Sequence, residues 1–174
     1  MHRVLEYGIF FVTLLLLQVF LFNNLNLSVY INPLIYVAFV LLLPMELAPV
    51  WVLLLGLAMG EATDMMTGTA GLNAIATLFT AFSRKQVMML MIGKETVGEG
   101  GIPCSARIGL GKFMRYASVA VLLHCLIFFT FEALTFRHFH LTLLKTVLSA
   151  MVTLALIYFS QFLLIGTYGK KTTV

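Results

Sequence analysis

The sequence predicts an all-α polytopic membrane protein: a six-helix transmembrane bundle that forms a single integral membrane domain over residues 1–174. Of its residues 61% are hydrophobic and only 10% are charged. Ordinary soluble domains are about 25% charged. Long apolar runs recur along the chain, and a spanning helix needs about 20 apolar residues. This composition leaves little room for a soluble domain.

The apolar runs define six predicted spans in chain order. The second is short and is bounded by Pro33 and Pro44, so we expect it to tilt little, to thin the bilayer or to kink at Pro44. The fourth could continue as far as residue 91. The one long loop, residues 93–112, is rich in glycine and carries most of the loop charge. The predicted spans cover residues 4–22, 33–43, 50–66, 72–82, 113–134 and 141–166.

Basic residues fix the predicted orientation. With six spans, three basic groups fall on one side of the membrane, and the positive-inside rule makes that side cytoplasmic. We therefore expect an inner-membrane protein with both termini and the 93–112 loop in the cytoplasm. Anionic lipid headgroups account for the net charge of +4, so no nucleic-acid partner is predicted. The three groups are Arg3; Arg84, Lys85, Lys94, Arg107, Lys112 and Arg115; and Lys170 and Lys171.

A ladder of small residues marks the third span. Gly56, Gly60, Asp64 and Gly68 are four apart, and Gly71 follows them. Residues at this spacing share one helix face. Two glycines on one face let another backbone approach closely, and an acid on the same stripe is expensive in lipid. We therefore expect this face to pack against protein, with Asp64 bonded to the following turn or to a neighbouring helix.

Glu61 lies three residues before Asp64 and suggests a second interpretation, a paired acid acting as a proton relay or cation site. Helix-end polarity is the structural interpretation of the same pair. His138 and His140 suggest a metal site in the same way. A closed zinc site needs about four ligands, however, so we favour interfacial anchoring of this pair beside Phe136 and Phe139. No phosphate loop or metalloprotease motif is present, so no cofactor and no catalytic residue is predicted.

The last two spans carry three ionisable residues. His124 and Glu132 are eight residues apart and are expected to share a helix face, and Glu132 and Lys145 lie where they could form an ion pair. Such residues mark either a substrate path or partner contact, or a structural polar contact inside the bundle. The sequence leaves both interpretations open.

The stretch from Gly56 to Gly71, with Asp64 and Gly68 between them, resembles the signature region of the rod shape-determining MreD family. Pro33, Pro44 and Glu132 also match positions typical of that family. The resemblance implies a non-enzymatic membrane scaffold of the cell-elongation machinery that helps to maintain rod shape and to direct lateral peptidoglycan synthesis. The implied partners are MreC, MreB and the elongation glycosyltransferase and transpeptidase. It also implies a fold similar to the substrate-binding subunits of energy-coupling-factor transporters.

Two other functions compete with this one. A substrate-binding membrane subunit of a small-molecule transporter would need a polar pocket, for which the candidates are Asn23, Asn24, Asn26, Asn32 and Asn73. A membrane enzyme acting on a lipid-linked substrate would use Glu61, Asp64, His138 and His140. These polar groups are scattered along the chain, and an active site needs several groups in matched roles.

Overall fold

The computed structural model describes residues 2–22, 31–133 and 139–168. Some features singled out in the sequence lie outside these ranges. They are His138, the C-terminal lysines and most of the polar stretch after the first span. The described chain is helical along most of its length. Its helices are α1 (His2–Leu16, continued by a π-helical stretch Leu17–Phe22), α2 (Val37–Leu41), α3 (Pro49–Thr67), α4 (Leu72–Met91), α5 (Lys94–Gly98), α6 (Ser105–Ile108), α7 (Leu110–Ala133) and α8 (Phe139–Tyr168).

Four of the described helical stretches are long and apolar enough to cross a bilayer. They are Leu5–Phe22, Pro49–Thr67, Leu110–Ala133 and Phe139–Gln161. Their outward faces carry large apolar side chains such as Trp51 and Phe159. By this measure the chain is an all-α membrane protein, and the predicted spans 1, 3, 5 and 6 are confirmed as helices of spanning length.

Helix α4 forms the middle of the bundle, packed between α3 and α7, while α8 covers the other side of α7. It is 20 residues long and coincides with the fourth predicted span in its longer form. Threonines, alanines and one arginine make up much of its buried face. The mean hydropathy of α4 is lowered by Asn73 and Arg84 on this face and by the exposed Lys85 and Gln86, so α4 is not among the four candidate spans although its length would suffice.

The second predicted span takes a different form. Residues 31–48, which we call the core segment, contain only the helix Val37–Leu41, of five residues. Such a helix rises about 7.5 Å, far less than the roughly 30 Å of a bilayer core. The six-helix count is therefore not confirmed. Every residue from Leu34 to Leu43 is nonetheless buried, because the segment lies inside the bundle, where Phe39 meets the ring of Phe11 edge-on.

Irregular backbone at membrane depth is tolerated only where protein satisfies its polar groups. Side chains of two helices do so at the start of the core segment. The hydroxyl of Ser149 in α8 accepts a hydrogen bond from the backbone N–H of Asn32 at 3.0 Å. The hydroxyl of Thr153, one turn later, accepts one from the backbone N–H of Leu34, also at 3.0 Å. Gln18 of α1 donates to the carbonyl of Pro33 at 2.9 Å.

The other end of the core segment is held by α4, α7 and the long loop. Tyr116 of α7 donates to the carbonyl of Leu41 at 3.2 Å. The Arg84 guanidinium of α4 donates to the carbonyls of Leu43 and Pro44. Both carbonyls lie just beyond the C-terminal end of α2, where a cation is favourable. Polar side chains on four helices, α1, α4, α7 and α8, thus satisfy the backbone of the core segment.

The glycine-rich loop is more ordered than its composition suggests. Helices α5 and α6 lie inside the predicted loop 93–112, and α7 begins before the loop was expected to end. The loop docks on the core segment, where Gly101 accepts a bond from Met45 N and donates one to the Glu46 carboxylate, both at 2.8 Å. We call this side of the molecule the basic end; Lys85, Lys94, Arg107, Lys112 and Arg115 lie there.

Candidate functional site

The glycine ladder joins α3 to α4 inside the protein, as the sequence predicts. A Cβ atom built on Gly60 would overlap the backbone of Ala74, coming within 2.8 Å of its nitrogen. One built on Gly56 would lie 3.0 Å from the Cβ of Ala81. The two helices therefore approach so closely at Gly60 that no side chain fits between them. A residue in contact with α4 at this distance is not available to a partner.

Gly68 and Gly71 shape the turn between the same two helices. Both have positive φ angles, 68° and 80°, a region that side-chain-bearing residues rarely adopt. Gly68 ends α3 and Gly71 precedes the first residue of α4. The turn they form is short, and it places the N-terminus of α4 beside the last turn of α3.

Asp64 caps the helix that follows it. Its Oδ1 accepts bonds from the Thr69 hydroxyl (2.5 Å), the Asn73 backbone (3.1 Å) and the Asn73 side chain (2.8 Å), and its Oδ2 accepts one from Ala74 N at 2.8 Å. The two backbone donors are first-turn N–H groups of α4, the ones an N-cap side chain normally serves. The residue at that cap is Gly71, which has no side chain, so Asp64 fills the role from α3.

The expected bonding of Asp64 to the following turn or to a neighbouring helix is observed, but the expected donors are not all correct. The sequence suggested backbone N–H groups of residues 67–71. The structure uses a hydroxyl from that turn and the backbone of α4 instead. The carboxylate is 4% exposed and all four bonds come from protein. A negative charge at a helix N-terminus is also favoured by the helix dipole.

A chain of side-chain bonds leads from Asp64 into the bundle. Asn73, which donates to Asp64, accepts the hydroxyl of Tyr36 at 2.8 Å. The same hydroxyl lies 2.9 Å from Nε2 of His124, and Nδ1 of that ring lies 3.1 Å from the hydroxyl of Thr80. We call these five residues the polar core. It connects α3, α4, α7 and the core segment, and its members are almost completely buried.

Four contacts of the polar core surround the His124 ring and the two hydroxyls beside it. They are Tyr36 with Asn73 and with His124, Thr80 with His124, and Thr80 with a backbone carbonyl one turn earlier. Two hydroxyls and a neutral imidazole supply three hydrogens. A neutral ring therefore leaves one of these four contacts without a hydrogen between its two atoms.

The remaining candidate residues are not brought together. Glu61 is exposed on the outer face of α3, while Asp64 points inward, so the two do not form a paired acid. His140 is exposed at the start of α8. Within the described ranges, no group of three His, Cys, Asp or Glu side chains could hold a metal ion.

Glu132 and Lys145 do form the expected ion pair, with 3.7 Å between Nζ and Oε2. The expected common face of His124 and Glu132 is wrong, however. His124 is fully buried against α4 and the core segment, whereas Glu132 is exposed towards α8. Eight residues turn an α-helix about 80° past two full turns, enough to separate a buried position from an exposed one.

The sequence does not indicate the roles of Tyr36, Thr80 and Arg84 in the core, whereas a structural polar contact inside the bundle is one of its two interpretations of His124. By its sequence position Arg84 is only a topological charge, and Tyr36 is only part of an apolar run. One signal was available: α4 is rich in threonine on its buried face, an unusual composition for a helix that faces lipid. The largely non-helical backbone of the core segment, which these side chains satisfy, has no comparable pattern in its sequence.

The fold and its polar core define a class: an all-α membrane protein with four helices of spanning character around a buried, side-chain-bonded core segment. Comparisons of the chain with protein-family models, with curated proteins and with solved structures find no match. The function proposed next therefore rests on the residues themselves.

Proposed function

We propose that the chain is a non-enzymatic scaffold of the cell-elongation machinery in the inner membrane, with both termini cytoplasmic. The sequence resemblance of residues 56–71 to the MreD family suggests this role. One structural observation supports it most: both oxygens of Asp64 are bonded to donors of the same chain. An acid used in this way holds two helices together and is not presented to a substrate.

The contacts around Gly60 agree with a scaffold. A protein that organises partners needs a rigid frame, and the α3–α4 pair is locked by close backbone approach and by a carboxylate cap. Polar groups of the core bond one another and the backbone of the core segment. Such buried networks, once satisfied, specify one arrangement of the elements around them.

Partner contacts must then involve outward faces. The outward stripe of α3 consists of Trp51, Leu54, Ala58, Glu61 and Met65, all exposed. An exposed carboxylate on a membrane helix is expensive in lipid and marks a functional contact. We assign Glu61 to the contact with a single-span partner, which the resemblance implies to be MreC.

Copurification from native membranes tests the proposal. The tagged chain, extracted in mild detergent from a rod-shaped host that depends on it, should retain the single-span partner and the wall-synthesis enzymes. Glu61→Gln should reduce their recovery while leaving thermal stability unchanged. Glu95→Gln, in the basic-end loop, is the matched control and should change neither.

Two results would count against the scaffold. One is recovery of an ATPase module in place of wall-synthesis proteins, which would support the transporter alternative. The other is normal rod shape in cells depleted of the chain. Cells depleted of a true scaffold should become round and should recover when the wild-type gene is restored.

A further inference from the structure

Arg84 is a buried cation that has no carboxylate partner in the part of the chain that the structure describes. It is 3% exposed, and its terminal nitrogens donate to the carbonyls of Leu43 and Pro44. Among the described residues, no acid lies within ion-pair distance of it. Its Nε is buried and has no hydrogen-bond partner. Burying an uncompensated charge is costly, so a counter-charge supplied from outside the chain would stabilise this position.

A cavity of about 210 Å³ adjoins this guanidinium at the basic end. Arg84 and Lys85 line it on the α4 side. Apolar side chains of the core segment and of α3, among them Leu47 and Leu53, line the opposite side. The volume is below the roughly 300–1,000 Å³ of typical small-molecule pockets, but it is several times the roughly 30 Å³ that one water occupies in the liquid.

The chemistry of the lining is that of a lipid headgroup site. Two cations match the charge of a phosphate, and a guanidinium carries five N–H donors, of which Arg84 uses two on the carbonyls of Leu43 and Pro44. The apolar walls continue to the exposed surface at Phe82, where hydrocarbon chains would lie. Basic pockets at the ends of transmembrane helices recognise anionic headgroups in this manner.

We propose that this cavity binds the phosphate of an anionic phospholipid, with Arg84 and Lys85 as its ligands. Arg84 supplies the buried charge and also holds the core segment. Lys85 is exposed and is therefore the residue that can be altered without disturbing the fold. The inference is independent of the proposed scaffold role, because it rests on the cavity and its two cations alone.

Native mass spectrometry of the detergent-solubilised chain provides the test. The protein is titrated with phosphatidylglycerol, with phosphatidylcholine and with inorganic phosphate. Phosphatidylglycerol should bind with one preferred equivalent. Lys85→Gln should weaken that binding about fivefold, the effect expected of one cation at a membrane surface. Lys85→Arg should restore it, and Lys94→Gln, in the nearby loop, should leave it unchanged.

Three outcomes would overturn the proposal. Equal binding of the two lipids would remove the requirement for an anion. An unchanged affinity in Lys85→Gln would move the binding elsewhere. Displacement of the lipid by millimolar inorganic phosphate would identify the ligand as a free anion. Arg84→Gln need not fold, and the conclusion does not depend on it.

Discussion

The carboxylate of Asp64, in the last turn of α3, accepts a hydrogen bond of 2.8 Å from the backbone nitrogen of Ala74, in the first turn of α4. The same Ala74 is the residue against which Gly60 packs. One turn of α4 is therefore held by two residues four apart on α3. The close contact at Gly60 and the cap by Asp64 therefore both fix the backbone of Ala74, just after the short turn.

Substitutions at Asp64 should separate a structural acid from a titrating one. Asp64→Asn keeps the oxygen that accepts three bonds but directs an amide N–H₂ at the N–H of Ala74, which should cost about 1–3 kcal/mol. Asp64→Leu removes every acceptor and should cost at least about 2 kcal/mol more. Thermal unfolding can be followed by thiol labelling of buried Cys125 in a Cys104→Ser background. Equal loss of rod shape in both variants, at normal stability, would instead indicate proton or cation transfer.

Gly60→Ala should destabilise the protein although alanine is the better helix former. The added methyl group would overlap the backbone of Ala74, and overpacking of this kind costs about 1–3 kcal/mol. Gly60→Leu should prevent assembly of the α3–α4 pair. Gly8→Ala is the matched control, because a Cβ on Gly8 meets nothing within 4 Å. The same unfolding assay should show a lower midpoint for Gly60→Ala and an unchanged or higher one for Gly8→Ala. Equal midpoints would contradict the close approach.

Tyr36→Phe should show how much the polar core contributes to the stability of the protein. It removes the hydroxyl shared by Asn73 and His124 and leaves both buried groups short of a partner, at a cost of about 1–3 kcal/mol. Tyr158→Phe, on the exposed face of α8, should have little effect. If the two variants unfold at the same temperature, the network contributes nothing to stability.

The ion pair of Glu132 and Lys145 should matter little to stability. It is partly exposed, and such pairs contribute at most about 1 kcal/mol. Glu132→Gln should therefore leave the unfolding midpoint almost unchanged. Should it nevertheless reduce copurification of the proposed wall-synthesis partners, Glu132 would belong to a partner contact. A large drop in the midpoint would show that the pair is a structural element after all.

Cys104 tests the orientation of the chain. It lies in the long loop at the basic end and is partly exposed, so a reagent that reaches that side can label it. In intact cells a membrane-impermeant maleimide should not react, whereas it should react in inverted vesicles. Reporter fusions after Lys112 and at Val174 should be active only as cytoplasmic reporters. Efficient labelling in intact cells would reverse the predicted topology.

Hydrophobic length and spacing were enough to predict α1, α3, α7 and α8 within a few residues. Four-residue spacing likewise predicted that Gly60 packs against a helix and that Asp64 bonds a neighbour. These features are local, because a helix face is fixed by the sequence of that helix. The core segment was not predictable in the same way. Its hydropathy equals that of a spanning helix, and only distant residues such as Ser149 and Thr153 make its extended backbone acceptable.

The pairing of the core segment also fixes an order of events during biosynthesis. Asn32 and Leu34 bond side chains that lie 117 and 119 residues later in the chain. Until α8 has been synthesised and has entered the bilayer, these backbone groups have no acceptor, and each would cost several kcal/mol in hydrocarbon. The ribosome therefore completes most of the protein before this segment can reach its final conformation. A chain truncated before α8 would leave the backbone N–H groups of Asn32 and Leu34 without their acceptors.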